Sequence, residues 1–391
     1  MDKRKIITDL QSKGLNLVDL NTGRKGGAGP SDHQAVTIDD TTVMIPVHTS
    51  IAAKSPYTVG TVREAVISFV DVRRKQGFQG LEINSSHSPL GTLTKTQPLK
   101  KNGKKIASIQ FPNQPQFYNL KTAAGIPYSQ IALLHSHNVL ATTVLQTCIR
   151  YSNRNTSCQF CAIEQSLAAG KTIAQKTPAQ LAEVAEAAVK LDGIEQLVMT
   201  TGTPNTTDRG AAYLIECAKA VKAKVNLPIQ AQCEPPNDFA WFAKMKDGGI
   251  DSLGMHIEVI EPEVRDRIMP GKAKVSLDYY FQAFEAAVKV FGWGEVSTYI
   301  LAGLGDSLET ITDTCDRLIK LGVYPFIVPF VPITGTPLAD RQPPSSEVMY
   351  AIYSKVGEML NHAGMSSTNI KAGCAKCGAC SALSTFETKS S

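Results

Sequence analysis

Short apolar runs alternate with longer amphipathic stretches along the chain from about residue 171 onward. The short runs are rich in β-branched residues, as buried strands are, and the longer stretches place apolar residues three and four positions apart, as helices do. Together with an apolar run at 139–145, the pattern predicts six strand–helix units. The other predicted strands are 196–201, 228–232, 252–256, 295–301 and 325–330. The predicted helices cover about 177–191, 209–224, 237–247, 307–321 and 345–363, and a long helical stretch lies between the strands at 252–256 and 295–301. Repeated units of this kind imply an α/β protein with a parallel sheet, and six of them fit a partial (β/α)6 barrel better than a closed eightfold one.

The first 138 residues follow a different pattern, with short β-like runs and one helical period around 60–76. The β-like runs are 42–47, 81–84, 106–109 and 130–134. We therefore expect a β-rich N-terminal extension over 1–138 that covers the barrel, the barrel over 139–364, and a short C-terminal cysteine tail over 365–391. The basic run 100–105 is either a nucleic-acid patch or a turn between strands, and Asn102-Gly103 at its centre favours the turn.

Composition narrows the class of protein. The 391 residues are 43% hydrophobic and 19% charged with a net charge of +5, which is an ordinary globular balance and gives no reason to expect a nucleic-acid partner. No apolar run reaches the roughly 18 residues that a membrane-spanning helix needs. The N-terminus has no apolar core and no cleavage signal, so we expect a cytoplasmic protein in a reducing compartment without disulfides.

Six of the nine cysteines fall in two groups of three. Cys148, Cys158 and Cys161 follow the predicted strand at 139–145, and parallel barrels form their sites at the carboxyl ends of strands. Three thiolates that leave one iron open suit a [4Fe–4S] cluster that binds a small molecule, whereas zinc sites usually close with a fourth protein ligand. A structural zinc site is the alternative for this group.

The second group, Cys374, Cys377 and Cys380, lies in the predicted tail. It is interpreted as a second [4Fe–4S] cluster, with zinc as the main alternative. A zinc site would need a fourth ligand, and His362 is the closest histidine in sequence.

The first group resembles the cysteine motif of the radical S-adenosylmethionine (SAM) enzymes. Phe160 stands just before Cys161, as the aromatic residue of that motif does, although nine residues separate Cys148 from Cys158 where the motif usually has three. The run 300–306 resembles a turn of the biotin and lipoyl synthases, and the segment 255–291 looks like part of lipoyl synthase. The whole chain resembles an uncharacterised radical SAM family encoded beside nitrilases.

The resemblance implies a set of residues around SAM, each with a plainer alternative. Thr201-Gly202-Thr203 resembles the position that binds the SAM ammonium group, or is an ordinary strand–helix turn. Glu234 would take the ribose hydroxyls, or is a solvent-facing carboxylate. Arg267 is preferred over Lys272 for the SAM carboxylate, because Met269 stands where lipoyl synthases have an arginine and a guanidinium grips a carboxylate bidentately. The remaining expected cofactor-binding residues are Phe160, His256, Glu258, Gly303 and Gly305.

The same resemblance implies the chemistry. A reduced cluster would cleave SAM to a 5′-deoxyadenosyl radical that abstracts hydrogen from an unactivated carbon of a small-molecule or carrier-bound substrate. An electron donor such as flavodoxin or ferredoxin would reduce the cluster. Sulfur insertion is the first expectation, with rearrangement or C–C bond change as the second. A non-catalytic iron–sulfur or zinc-binding partner protein is the alternative of a different class.

Three further features have two interpretations each. The glycine-rich loop 23–31, with Arg24 and Lys25, would bind a phosphate or carboxylate, or is a turn that packs the extension on the barrel. His135 and His137 flank Ser136 on one strand face, so they line a cavity or are ordinary partly buried histidines. Cys233 points to the same edge as the site but is interpreted as a small core residue.

Overall fold

The computed structural model describes residues 2–17, 33–47, 51–59 and 96–387. The glycine-rich loop 23–31, the helical period around 60–76 and the β-like run 81–84 lie outside the described residues.

The N-terminal extension contains helix α1 (Lys3–Lys13) and a six-stranded sheet. Its strands are β1 (Asn16–Leu17), β2 (His33–Ile38), β3 (Thr41–Pro46), β4 (Tyr57–Val59), β5 (Thr96–Lys101) and β6 (Lys104–Gln110), in the order β1-β4-β5-β6-β2-β3. The basic run 100–105 is the β5–β6 hairpin, in which Asn102 and Gly103 have φ of 49° and 78°. Two residues in the left-handed region are the signature of a tight hairpin turn, so the predicted turn is confirmed.

The second sheet has seven strands, and neighbouring strands in the sheet are also neighbours in the sequence, from β7 at one edge to β13 at the other. They are β7 (Leu133–His135), β8 (Val139–Thr143), β9 (Gln196–Thr200), β10 (Ile229–Gln232), β11 (Ser252–Gly254), β12 (Val296–Ala302) and β13 (Val323–Pro329). Strands β8 to β13 are parallel neighbours, as predicted. β7 pairs antiparallel with β8, so the run at 130–134 contributes to this sheet and not to the N-terminal one.

Helices connect the parallel strands and cover the sheet. They are α2 (Gln165–Ala168), α3 (Pro178–Asp192), α4 (Ala211–Lys222), α5 (Ala240–Asp247), α6 (Pro262–Ile268), α7 (Pro270–Ala273), α8 (Leu277–Phe291), α9 (Leu308–Lys320), α10 (Ser346–His362) and α11 (Cys374–Cys377). Thr177 and Gln180 form a reciprocal capping box at the start of α3. Within the described part of the chain, no helix is both long and apolar enough to cross a membrane.

The C-terminal tail folds back onto the end of the sheet where the parallel strands begin. The backbone N–H groups of Gly373 and Cys374 donate to the side-chain oxygens of Gln196 and Gln230, at 2.7 and 3.1 Å. The Ser381 hydroxyl donates to the carbonyl of Ile327 on β13. The tail also reaches the extension, because the Met44 amide on β3 donates to the carbonyl of Ala379 at 2.7 Å. The second cysteine group is therefore fixed inside the fold.

Candidate active site

The first cysteine group lies on the long loop between β8 and α2. The loop is tied to the end of β9, where Gly202 donates to the carbonyl of Leu145 and Ile149 donates to the carbonyl of Thr203, at 2.9 and 3.0 Å. Its far end is tied to α6 by the Gln159 amide, which donates to the carbonyl of Ile268 at 2.8 Å. Backbone hydrogen bonds at both ends thus hold the three cysteines at the carboxyl edge of the sheet.

Two glycines allow the loop to approach its neighbours closely. A Cβ at Gly202 would lie 2.1 Å from the carbonyl oxygen of Thr147, next to Cys148. A Cβ at Gly271 would lie 2.3 Å from the carbonyl oxygen of Thr156, two residues before Cys158. Real Cβ atoms do not come this close to backbone oxygen, so only glycine fits at either position.

Glu234, directly after β10, is the centre of a buried polar network. It forms an ion pair with Arg150 and accepts from the Thr203 hydroxyl and from Arg209, both at 2.7 Å. Only 8% of Glu234 is exposed, which excludes the alternative of a solvent-facing carboxylate. Burial alone would raise the pKa of Glu234, but the charges of Lys272, Arg150 and Arg209 and the Thr203 hydrogen bond lower it. Glu234 is therefore held as a carboxylate.

A second buried ion pair lies beside Cys158. Lys272 donates to both oxygens of Glu258, at 2.7 and 2.6 Å. Burial opposes the charge on Lys272, but Glu258 raises its pKa, so the ammonium stays protonated. Burial raises the pKa of the Cys158 thiol, and the Lys272 charge partly counteracts that increase. Glu258 has φ of 53°, a strained conformation for a non-glycine residue and one that is concentrated at functional sites.

His256 presents a buried hydrogen-bond donor. Its Nδ1 accepts from the Tyr299 amide at 3.2 Å, and its ring stacks on Tyr299 with centroids 4.2 Å apart. Burial and the Lys272 charge lower the pKa of His256 to about 3, so the ring is neutral. A neutral imidazole that accepts at Nδ1 carries its proton on Nε2. That Nε2 is buried and has no hydrogen-bond partner among the described residues.

The other residues that the sequence predicts to bind SAM differ in burial: some are exposed and others are packed against protein. Arg267 is exposed on α6, while Arg265 is buried and donates to backbone carbonyls of Ile257, Val259 and Val275, a structural role. The open faces of the two glycines in the turn after β12 are occupied by protein: Gly303 faces Pro344, and Gly305 faces Val264. A Thr201 hydroxyl bond to the Gly202 carbonyl, at 2.8 Å, fixes the end of β9.

An apolar shell surrounds one side of the first cysteine group. Cys158 and Phe160 pack against a buried cluster formed by Val259, Val264, Ile268, Met269, Leu304 and Phe330. Met269, which stands where lipoyl synthases have an arginine, is fully buried in this cluster. A cationic side chain could not replace it there without a partner.

A cavity of about 370 Å³ lies between the sheet, the N-terminal extension and the tail. Most of its lining is apolar, and it includes Val139, Ala141, Val198, Leu301, Val328 and Ile333. Phe160 of the first cysteine loop lines it, and so do Cys374, Cys377 and Cys380. The cavity thus reaches from the first cysteine loop, at Phe160, to the second cysteine group, a juxtaposition that no local sequence pattern could indicate.

The second cysteine group contacts side chains from two strands of the second sheet, β7 and β10. The Cys374 sulfur accepts from the Gln232 amide at 3.1 Å. His135 lies 3.3 Å from the sulfur of Cys377 and 3.6 Å from that of Cys380, measured from Nδ1 and Nε2. His135 also lines the cavity, whereas His137 and His362 are exposed. Among the described residues, no three Cys, His, Asp or Glu side chains are close enough together to surround a single metal ion.

The cysteines outside the two groups are core residues. Cys217, Cys233 and Cys315 are buried among apolar side chains. Burial raises the pKa of Cys233 to about 12, so its thiol stays protonated. The interpretation of Cys233 as a small core residue agrees with this environment.

Comparison with known proteins shows what part of the chain is similar to. The sequence profile of the Radical SAM superfamily matches residues 151–318, a segment that includes Cys158 and Cys161 and begins shortly after Cys148. This segment, which is less than half of the chain, is therefore similar to the radical SAM enzymes.

Individual relatives are distant. The chain is 27% identical over 278 residues to bacteriochlorophyllide c C-7(1)-hydroxylase from Chlorobaculum limnaeum, which covers 66% of this chain and 68% of that protein. Among solved structures it is similar to methylornithine synthase (PylB), at 17% identity and a TM-score of 0.45, over 68% of this chain and 79% of the other. It is also similar to the FeFe-hydrogenase maturase HydG from Carboxydothermus hydrogenoformans, at 17% identity and a TM-score of 0.43, over 57% of this chain and 50% of the other.

The superfamily implies a [4Fe–4S] cluster and SAM, and the residues around the first cysteine group fit both. Cys148, Cys158 and Cys161 are partly exposed thiols, and three thiolates are the donor set for a cluster with one open iron. Ser157 Oγ and His256 Nε2 are buried polar atoms that have no partner in the described residues. Such atoms need a hydrogen-bonding group that the protein itself does not supply there.

Proposed function

We propose that this enzyme removes a hydrogen atom from an unactivated carbon of a small, mainly apolar substrate bound in the central cavity. The observation that carries the proposal is the cavity itself, which Phe160 borders from the first cysteine loop and Cys374, Cys377 and Cys380 border from the second. Apolar side chains dominate the remaining lining, so the part of the substrate that enters the cavity is apolar as well.

Each group of side chains around the first cysteine loop has a role in this proposal. When bound, the cluster and SAM supply a 5′-deoxyadenosyl radical, which abstracts the hydrogen. Cys148, Cys158 and Cys161 hold the cluster. Glu234, fixed as a carboxylate by two arginines, accepts hydrogen bonds from the SAM ribose, and His256 donates through Nε2. The apolar cluster around Phe160 keeps water from the reacting carbon.

Two side chains, Arg267 and Lys272, are candidates for the cation that binds the SAM carboxylate. Arg267, preferred from sequence, is exposed on α6, while Lys272 is buried and already paired with Glu258. A guanidinium without a buried partner can grip a carboxylate bidentately, so we keep Arg267 in this role. Lys272 instead provides a fixed positive charge beside Cys158.

Two outcomes for the substrate radical have specific support. The second cysteine group on the same cavity, and the resemblance of 300–306 to biotin and lipoyl synthases, favour sulfur insertion with a second [4Fe–4S] cluster as the sulfur source. The relative from Chlorobaculum limnaeum, a hydroxylase by name, favours hydroxylation. Either reaction requires an external electron, for which a flavodoxin or ferredoxin is the proposed donor.

SAM cleavage tests the proposed function directly. Anaerobically reconstituted protein with SAM and dithionite should release 5′-deoxyadenosine, and the variant with Ala at Cys148, Cys158 and Cys161 should release none, because too few thiolates remain to hold the cluster. Release of 5′-deoxyadenosine by that variant would contradict the assignment. The substrate is then sought as the compound that stimulates release. Reconstitution with isotopically labelled sulfide, or reaction in labelled water, shows whether the product gains sulfur or oxygen.

A further inference from the structure

The second cysteine group is in contact with a histidine from a distant part of the chain. His135 is the last residue of β7, 242 positions before Cys377 and 245 before Cys380. Its two ring nitrogens lie 3.3 and 3.6 Å from the sulfurs of these cysteines. The imidazole therefore lies between two thiols, and the same cavity borders all of them.

The backbone fixes the position of His135. It pairs with Val139 in the antiparallel β7–β8 hairpin. The next residue, Ser136, is 2% exposed and has φ of 59°, in the left-handed region that non-glycine residues seldom adopt. A buried strained turn of this kind is retained where the surrounding structure requires it, and here it orients the histidine toward the tail.

The C-terminal tail, which carries the second cysteine group, is also held in place by hydrogen bonds. Hydrogen bonds from Gly373 and Cys374 to Gln196 and Gln230 hold the beginning of α11 against β9 and β10. A Cβ at Gly373 would lie 2.2 Å from the amide nitrogen of Gln230, which shows how close the two segments are. The thiols and the imidazole are thus brought together by the fold and not by flexible side chains.

Three thiolates and one imidazole would give one donor to each of the four irons of a [4Fe–4S] cluster, whose ligands lie farther apart than those of a single metal ion. Sequence proximity points to His362 as the fourth donor, but His362 is exposed in the last turn of α10. His137 is exposed as well and contacts Ser136 Oγ at 3.2 Å. His135 is the histidine that the described structure brings to the second group.

We propose that His135 is the fourth protein ligand of a [4Fe–4S] cluster held by Cys374, Cys377 and Cys380, bound through one ring nitrogen. This inference rests on the second cluster of the proposed function. A neutral imidazole in place of a fourth thiolate lowers the negative charge of the cluster, so its reduction potential is higher than that of an all-cysteine cluster.

Nitrogen coupling in the reduced cluster tests the proposal. The variant with Ala at Cys148, Cys158 and Cys161 removes the first cluster, so its spectrum reports the second one alone. Pulsed electron paramagnetic resonance of the dithionite-reduced full-length chain should show a nitrogen hyperfine coupling that changes when histidine is labelled with nitrogen-15. The coupling should disappear in the same background after His135→Ala and remain after His137→Ala, the matched control from the same turn.

His135→Cys separates ligation from a structural role. This variant should retain about four irons, lose the nitrogen coupling and have a lower reduction potential, because a thiolate replaces the imidazole. A coupling that survives His135→Ala, or no coupling in the parent variant with its native His135 while about four irons are present, would overturn the role of His135. Zinc in place of iron in the parent variant would overturn the second cluster itself. SAM cleavage by the wild-type enzyme is a separate measurement, so failure here is distinguishable from failure of the proposed function.

Discussion

Single buried residues determine how the first cysteine loop is held. Lys176, only 1% exposed, donates from Nζ to Gln146 Oε1 and to the carbonyl of Ile173, both at 2.9 Å. Gln146 in turn donates to the carbonyl of Ile163, two residues after Cys161, at 2.7 Å. Burial lowers the pKa of Lys176 from 10.5 to about 7. The side chain that supports the loop is thus poorly suited to carry a charge at neutral pH.

The difference in stability between the wild type and Lys176→Met should depend on pH, because the pKa of Lys176 is lower in the folded chain than in the unfolded one. Between about pH 7 and 10.5 the unfolded chain binds a proton at Lys176 that the folded chain does not. The free energy of unfolding of the wild type, minus that of Lys176→Met, should therefore rise with pH across this window, by at most about 1.4 kcal/mol per pH unit. Below pH 7 both states are protonated and the difference should level off.

Anaerobic urea unfolding from about pH 6 to 9.5 measures this difference for Lys176. The thiols that titrate in the same range are common to both proteins, so they cancel in the subtraction. Lys190→Met, which removes an exposed lysine from α3, corrects for the loss of one positive charge. A difference that stays flat or falls between pH 7 and 9.5 would show that burial does not control Lys176.

At the scale of elements, the helices and strands that depend on a local pattern of residues could be predicted from the sequence. The six parallel strands and the helices between them follow from apolar periodicity and capping residues such as Thr177, so their order is confirmed. Strands β1, β2, β4 and β5 and the place of β7 were not predicted, because they depend on pairing with other strands and not on a local pattern. The close contacts of the cysteine loop with other elements were not predicted for the same reason.

Gly271 offers a test of one such contact, between α7 and the cysteine loop. Gly271→Ala should displace the loop at Thr156, since the new Cβ would lie 2.3 Å from a backbone oxygen. We expect the variant to be destabilised by about 1–3 kcal/mol, the range for overpacking. It should also retain less iron at the first site and release less 5′-deoxyadenosine, as measured by iron analysis, thermal unfolding and product assay.

Gly193→Ala is the matched control for Gly271→Ala. Gly193 caps α3 with φ of 63° and has no atom within 4 Å of its hypothetical Cβ, so alanine there strains the backbone without touching the loop. It should lower stability by about 1 kcal/mol and leave the iron content unchanged. Full iron and wild-type SAM cleavage in Gly271→Ala would mean that the loop tolerates displacement.

At the scale of the whole molecule, Phe160 of the first cysteine loop and the second cysteine group line one cavity, although 213 positions separate Cys161 from Cys374. Spacing alone predicts each group, but it could not predict that the tail returns to Gln196 and Gln230 or that β7 brings His135 to it. The same limit applies at the first site, where Arg150 and Lys272 pair with Glu234 and Glu258. These partners are 84 and 14 positions apart in sequence and carry no motif of their own.

The two cysteine groups are anchored by separate parts of the fold, which leads to a prediction for the whole enzyme. Anaerobically reconstituted protein should contain about eight irons per chain, and the variant with Ala at Cys374, Cys377 and Cys380 should contain about four. The variant should still release 5′-deoxyadenosine, because the first cysteine loop has its own anchors on β9 and α6. It should form no final product, because the second centre on the cavity is lost. Its tail should stay in place, since Gly373 and Ser381 are bound through backbone and hydroxyl groups that the substitutions keep. Iron analysis, thermal unfolding and the 5′-deoxyadenosine assay check these expectations together.

Stoichiometric zinc with only about four irons in the wild type would show that the second group is a structural zinc site. Loss of SAM cleavage in the variant would show instead that the two sites depend on each other.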